Sequence, residues 1–176
     1  QAEYMLWPRA ADLAEVVWTP LAQKNYPDFL RRLMAHFTRL DYLNVSYSRT
    51  IFDALPIAKP TAERQLEVSL IPTDPAMGNL IQNIRYTTNG TIPSSESPQY
   101  DKPILLTQST TIRTATFSMG KPVSQSAKVE KDFIVSKATG KPYTLLNAPT
   151  SGRPDRGYSL TDGNTGSVGG YEVAGV

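Results

Sequence analysis

Gln65-Leu66-Glu67-Val68-Ser69-Leu70-Ile71-Pro72 is the stretch on which the fold turns. Leu66, Val68 and Leu70 alternate with Glu67 and Ser69, the period of a strand with one face buried, and Pro72 ends it. Upstream the period is different. Trp7, Ala10, Ala11, Ala14, Val17 and Trp18 recur at the spacing of one helix face, with Arg9, Asp12 and Glu15 between them. Pro8 is placed in the first turn of that helix, and Thr19-Pro20 ends it. Leu30, Leu33, Met34, Phe37 and Leu40 give a second helix after Tyr26-Pro27-Asp28, with Arg31, Arg32 and Arg39 off its apolar stripe and Asn44 as its stop. Two helices alone bury little, and a short helix with two tryptophans calls for a large partner surface.

Downstream of the opening stretch the period stays near 2. Ile84 and Tyr86 alternate with Arg85 and Thr87, and Asn89-Gly90 follows as a turn signal. Ile104 to Thr107 is a short apolar run. Thr110 to Phe117 divides into Arg113, Ala115 and Phe117 on one face and Ile112, Thr114 and Thr116 on the other. Met119-Gly120-Lys121-Pro122 turns the chain, and Val123 to Val135 supplies one or two more strands. The expected fold is α+β, helices followed by a small antiparallel sandwich of immunoglobulin-like type. From Ser136 to Val176 Gly, Ser, Thr, Pro, Asp and Asn dominate, and the expectation is a linker and tail lying on another surface.

Composition sets the outer bounds. The chain has 176 residues, 40% of them hydrophobic, a length of one domain or two small ones. Its 14 prolines and 11 glycines fall mostly after residue 55, in keeping with two architectures. Lys and Arg number 18 against 16 Asp and Glu, and they are scattered, unlike the clustered basic face of a nucleic-acid binder. With no cysteine, disulfides, thiol nucleophiles and Cys-based metal sites are excluded, and a single histidine excludes a two-His site. No run approaches the roughly 18 apolar residues of a membrane span. Gln1-Ala2-Glu3-Tyr4 has neither an initiator Met nor a signal pattern, so the chain reads as a mature product or a cut fragment.

The search for chemistry yields little. Asp12 and Glu15 share a helix at i, i+3, a spacing open to a carboxylate pair, but a solvated face is the favoured reading. His36, beside Phe37, reads as a surface or boundary histidine. No G-x-S-x-G, P-loop or H-E-x-x-H occurs, and Ser151-Gly152 and Gly169-Gly170 are loop sequence. Asp162-Gly163-Asn164 lacks the acidic series of a calcium loop. Asn44-Val45-Ser46 and Asn89-Gly90-Thr91 are sequons. Tyr86 and Tyr100 are the candidates for stacking on a sugar ring, with a packing role preferred. No catalytic, cofactor-binding or metal-binding residue is assigned.

Three stretches nevertheless resemble one family. Trp7, Pro8, Arg9, Ala14, Glu15 and Trp18 fit the W-P-R-x-x-x-x-A-E-x-x-W pattern in the last barrel helix of glycoside hydrolase family 20, the exo-β-N-acetylhexosaminidases. Phe29-Leu30-Arg31-Arg32-Leu33 is similar to the core of the closing helix that follows. Ile84 to Pro93, with Ser97, Tyr100, Pro103-Ile104, Thr111-Ile112-Arg113, Ala115, Phe117, Gly120 and Ser124, resembles the small C-terminal sandwich of chitobiases and β-hexosaminidases. Tyr143-Thr144-Leu145, Tyr158 to Gly163 and Gly166-Ser167 resemble the opening of a discoidin-like domain.

The resemblance implies residues 1–55 as terminal helices of a (β/α)8 barrel, 56–136 as the C-terminal sandwich, and 137–176 as a linker and the start of the discoidin-like domain. It places Trp7 and Trp18 against a barrel wall. It implies a parent enzyme that removes terminal β-linked N-acetylglucosamine or N-acetylgalactosamine without a cofactor, outside the cytoplasm. The family's catalytic Asp-Glu dipeptide does not occur in this sequence. The expected partners are the upstream barrel, the parent's glycan substrate, and a second copy through the apolar helix face. No nucleic acid is expected. A stand-alone glycan-binding module and a protein adaptor are the competing readings.

Overall fold

The computed structural model describes residues 2–79, 83–118, 120–124, 129–147 and 155–164. Its front is helical: α1 (Ala2–Leu6), α2 (Arg9–Trp18) and α3 (Tyr26–Tyr42). The sequence reading expects one helix beginning at Trp7. Instead the chain breaks there. Trp7 N–H closes α1 on Glu3 O at 2.9 Å, and Ala11 and Asp12 N–H open α2 on Pro8 O at 2.8 and 3.2 Å. Pro8 has no N–H to give to the turn before it, so the helix restarts after it. Thr19, before Pro20, is extended and ends α2 as expected.

Both ends of α3 are written locally. The Asn25 side chain accepts from Asp28 N–H at 3.1 Å, a cap that contributes about 1 kcal/mol. At the other end Asn44 takes φ 58°. Val45 N–H then reaches Leu40 O at 3.0 Å and Asn44 N–H reaches Asp41 O at 3.1 Å, a Schellman end. The expected stripe is the buried one: Leu30, Leu33, Phe37 and Leu40 are buried, together with Phe29.

Two antiparallel sheets follow in an open sandwich-like arrangement, giving an α+β fold. The first is β1 (Ala54–Ala62), β2 (Gln65–Pro72) and β4 (Ile104–Leu106), in the order β1-β2-β4. The second has β5 (Thr110–Ser118) at its centre. Along one side of β5 runs β3 (Asn83–Thr87); along the other lie β6 (Lys121–Pro122) and β7 (Glu130–Phe133). The sequence reading missed β1. Pro56 and Pro60 disguise it, and they are tolerated because β1 is an edge strand. Ala54, Pro56 and Ala58 face inward while Leu55, Ile57 and Lys59 face out.

Asn89-Gly90 is a turn, with Gly90 at φ 74° and the Asn89 side chain accepting from Thr91 N–H at 3.1 Å. It does not lead straight into the next strand. The chain returns along β3 at residues 98–100, through Tyr86 N–H to Pro98 O and Tyr100 N–H to Ile84 O. The alternation expected of β5 is present, yet Ile112, Thr114, Ala115, Thr116 and Phe117 are all buried, because the strand is central and covered on both faces. Thr114 donates its hydroxyl to the Ala54 carbonyl, tying β5 to β1 of the other sheet, and Thr116 donates to the Phe52 carbonyl in the turn before β1.

The core has two parts. Phe29, Leu30, Leu33, Phe37 and Leu40 of α3 pack with Tyr47, Phe52 and Met77. Leu66, Val68, Leu70 and Leu106 of the first sheet meet Ile112 and Phe133 of the second. Ile84 packs against both, so helix layer and sandwich are continuous.

Within the described part of the tail, residues 134–141 and 161–164 are hydrogen-bonded to one another, to the end of β7 and to the β1–β2 turn. Residues 148–154 and 165–176, and with them Ser151-Gly152, Gly166-Ser167 and Gly169-Gly170, are outside the described residues, as is Met119.

Candidate functional site

A concave groove of about 660 Å³ lies between α2 and α3. Ala10, Ala11 and Ala14 form its α2 wall and Phe29, Leu33 and His36 its α3 wall. The alanines are too short to fill the gap between the helices, which keeps the groove open. Trp7 closes one end, its ring 5.4 Å from that of His36. Glu15 bridges the rim to Arg32 at 2.8 Å, and Arg32 also holds Asp28 at 3.0 Å. The rest of α2 is uncovered: none of its residues is buried, Leu13 is 64% exposed, Val17 66% and Trp18 82%, and Leu21 just beyond it is 84% exposed. A contiguous apolar surface of this kind marks a place of interaction.

The expected helix face thus divides in two. Trp7 and Ala11 pack against the α3 cluster, whereas Val17 and Trp18, on the same predicted stripe, are exposed. Trp18 still lines the groove against α3 but is left uncovered.

The titratable candidates are not assembled into a catalytic pair. Glu15 lines the groove and Asp12 does not. The Arg32 guanidinium holds the Glu15 carboxyl below its ordinary value, so it remains a carboxylate and does not act as an acid at neutral pH. Partial burial raises Asp12. His36 is half-buried with its Nε2 buried and unpaired among the described residues. Two tyrosines that the sequence analysis assigns no role stand out. Burial, followed by a hydrogen bond to Asp74, pushes Tyr26 up to about 12; burial likewise pushes Tyr47 up to about 12. Both tie α3 to neighbouring segments, Tyr26 through Asp74 and Tyr47 through Asp41 and a stacked contact with Phe37. Their only sequence signal is position at the start of α3 and just after its end.

On the sandwich, Tyr86 and Tyr100 are half-buried and pack against the core, so neither is an open stacking platform. The Asp162 side chain accepts from Asn164 N–H at 2.9 Å, a local turn. Asn44 and Asn89 are exposed, the first at the end of α3 and the second in its turn. Among the described residues no three acidic or histidine side chains are grouped as metal ligands, and no helix is long and apolar enough to cross a membrane.

Comparison with known proteins places these features in context. Residues 78–129 match the Fn3 associated family. They run from the end of the first sheet's loop through β3, β4, β5 and β6. The chain is also 28% identical over 156 residues to the Beta-hexosaminidase of Porphyromonas gingivalis (strain ATCC BAA-308 / W83). That match covers 85% of this chain and 19% of that protein, so the chain spans about a fifth of the length of the curated relative. The similarity relates the chain to a glycosidase. It extends across more than the sandwich, since 85% of the chain cannot be aligned without including part of the helical front.

Proposed function

We propose that this chain is the C-terminal part of a glycoside hydrolase family 20 exo-β-N-acetylhexosaminidase. In this reading residues 1–55 are the last helices of a (β/α)8 barrel. Residues 56–136 are the immunoglobulin-like C-terminal sandwich, and 137–176 are a linker and the start of a discoidin-like domain. The observation that carries it is the similarity to a β-hexosaminidase across 85% of the chain, part of the helical front included. The W-P-R…A-E…W pattern of Trp7 to Trp18 and the uncovered face of α2 support it, since a terminal barrel helix needs the rest of the barrel to cover it.

The parent enzyme releases terminal β-linked N-acetylglucosamine or N-acetylgalactosamine with retention. The substrate's own 2-acetamido oxygen attacks the anomeric carbon, an Asp orients the amide, and the adjacent Glu protonates the leaving oxygen. That Asp-Glu dipeptide is not in this sequence. The chain itself is therefore structural and inactive, and its partner is the upstream barrel. The parent acts outside the cell, at the cell surface or in the periplasm. A glycan-binding module is the weaker reading, because Tyr86 and Tyr100 are spent on packing.

Solution behaviour tests the helical part of this reading. The isolated chain should bind a hydrophobic dye or self-associate through Leu13, Val17 and Trp18. Val17→Glu should reduce either signal several-fold while changing stability by no more than about 0.5 kcal/mol. A clean monomer by light scattering that binds no dye would count against a barrel-facing α2.

A further inference from the structure

We infer that residues 134–141 and 161–164 form a docked strap that fixes the direction of the chain as it reaches Asn164. The composition here is that of a flexible linker, but the geometry is not. Thr161 to Asn164 runs back beside the end of β7: Phe133 bridges Asn164, and Ile134 N–H donates to Gly163 O at 2.9 Å. Between them a turn at 136–141 is clamped from two sides. Arg64 N–H, in the turn joining β1 and β2, donates to Thr139 O, and Gly140 N–H donates to Thr161 O, each at 3.0 Å.

Two glycines permit this approach. A Cβ on Gly140 would lie 2.2 Å from the Ala62 carbonyl oxygen, and one on Gly163 would lie 2.5 Å from Leu66 Cδ1. Both glycines also hold positive φ, 74° and 71°, which disfavours any side chain. Thr139 is only 1% exposed; its hydroxyl accepts from Ser136 N–H at 2.9 Å and donates to Ile134 O at 3.3 Å. Val135 packs onto the sandwich core, and Lys141 pairs with Glu63 at the rim. A segment too poor in apolar residues to build a core is held instead by backbone hydrogen bonds and close glycine contact.

Hydrogen exchange and relaxation measured by NMR on the 176-residue chain test it. The amides of Arg64, Ile134 and Gly140 should exchange about 100-fold or more slower than in an unstructured peptide. Backbone order parameters over 161–164 should approach those of β2, roughly 0.85. Gly140→Ala should lower protection at Arg64 and Ile134 at least about tenfold while the Val68 amide keeps its own. Free exchange at these amides in the unmodified chain, with order parameters below about 0.6, would overturn the strap. Unchanged protection in a folded Gly140→Ala variant would overturn it too; the unmodified chain decides the matter even where that variant does not fold.

Discussion

Phe37→Ala lowers the unfolding free energy by about 3–5 kcal/mol, measured by urea denaturation with an unchanged slope. Phe37 is buried on α3, stacked on Tyr47 with centroids 4.7 Å apart and set edge-on to Phe52 at 5.2 Å. Removing the ring takes the central contact from a cluster that joins α3 to the segment entering β1. The hole is walled by three elements that hold one another, so collapse is limited and the cavity contribution adds to the lost transfer energy. A domain of this size has about 5–15 kcal/mol in all, so the variant loses much of its margin. Tyr42→Ala, five residues further along the same helix and 90% exposed, should change stability by no more than about 0.5 kcal/mol. Equal effects at the two positions would mean that α3 does not pack in this orientation.

Phe133→Ala is expected to be as damaging, again about 3–5 kcal/mol, for a different reason. Phe133 is the last residue of β7 and is 1% exposed. It belongs to the second sheet yet sits in the cluster with Leu66, Val68 and Leu106 of the first, so it helps close the sandwich. Leu105→Ala, on the outward face of β4 and 57% exposed, serves as the control and should be near neutral. Because Ile84 contacts both clusters, thermal unfolding of either core variant should remain a single transition. Two resolved transitions would show that the helical layer and the sandwich fold separately.

What the sequence made legible was whatever local chemistry decides. The stripe of α3 reads directly from Leu30, Leu33, Phe37 and Leu40, and Asn44 marks its end because its short polar side chain tolerates positive φ. The alternation at Leu66, Val68 and Leu70 gives β2 for the same reason. The break at Pro8 was hidden because proline fits either a first helical turn or the position before one. The strand β1 was hidden because Pro56 and Pro60 interrupt a strand signal, and the edge position that tolerates them is a property of the assembled sheet. The burial of both faces of β5 likewise depends on neighbours far along the chain.

The site was harder. The groove between α2 and α3 arises from the alanines of one helix meeting Phe29 and His36 of another, and the ion pair of Glu15 with Arg32 spans seventeen positions. No period encodes either. The strap is least legible of all, since Gly140 and Gly163 look like ordinary loop glycines until Ala62 and Leu66 are placed against them.

The account stands most directly on whether this chain can cleave a glycoside. The purified chain should be incubated at length with an aryl N-acetyl-β-glucosaminide, beside a no-protein control and a longer chain that carries an upstream barrel. The account predicts no turnover by the chain and turnover by the longer one. Hydrolysis by the chain alone, surviving repurification, would contradict it and would return Asp12, Glu15 and His36 to consideration as catalytic groups.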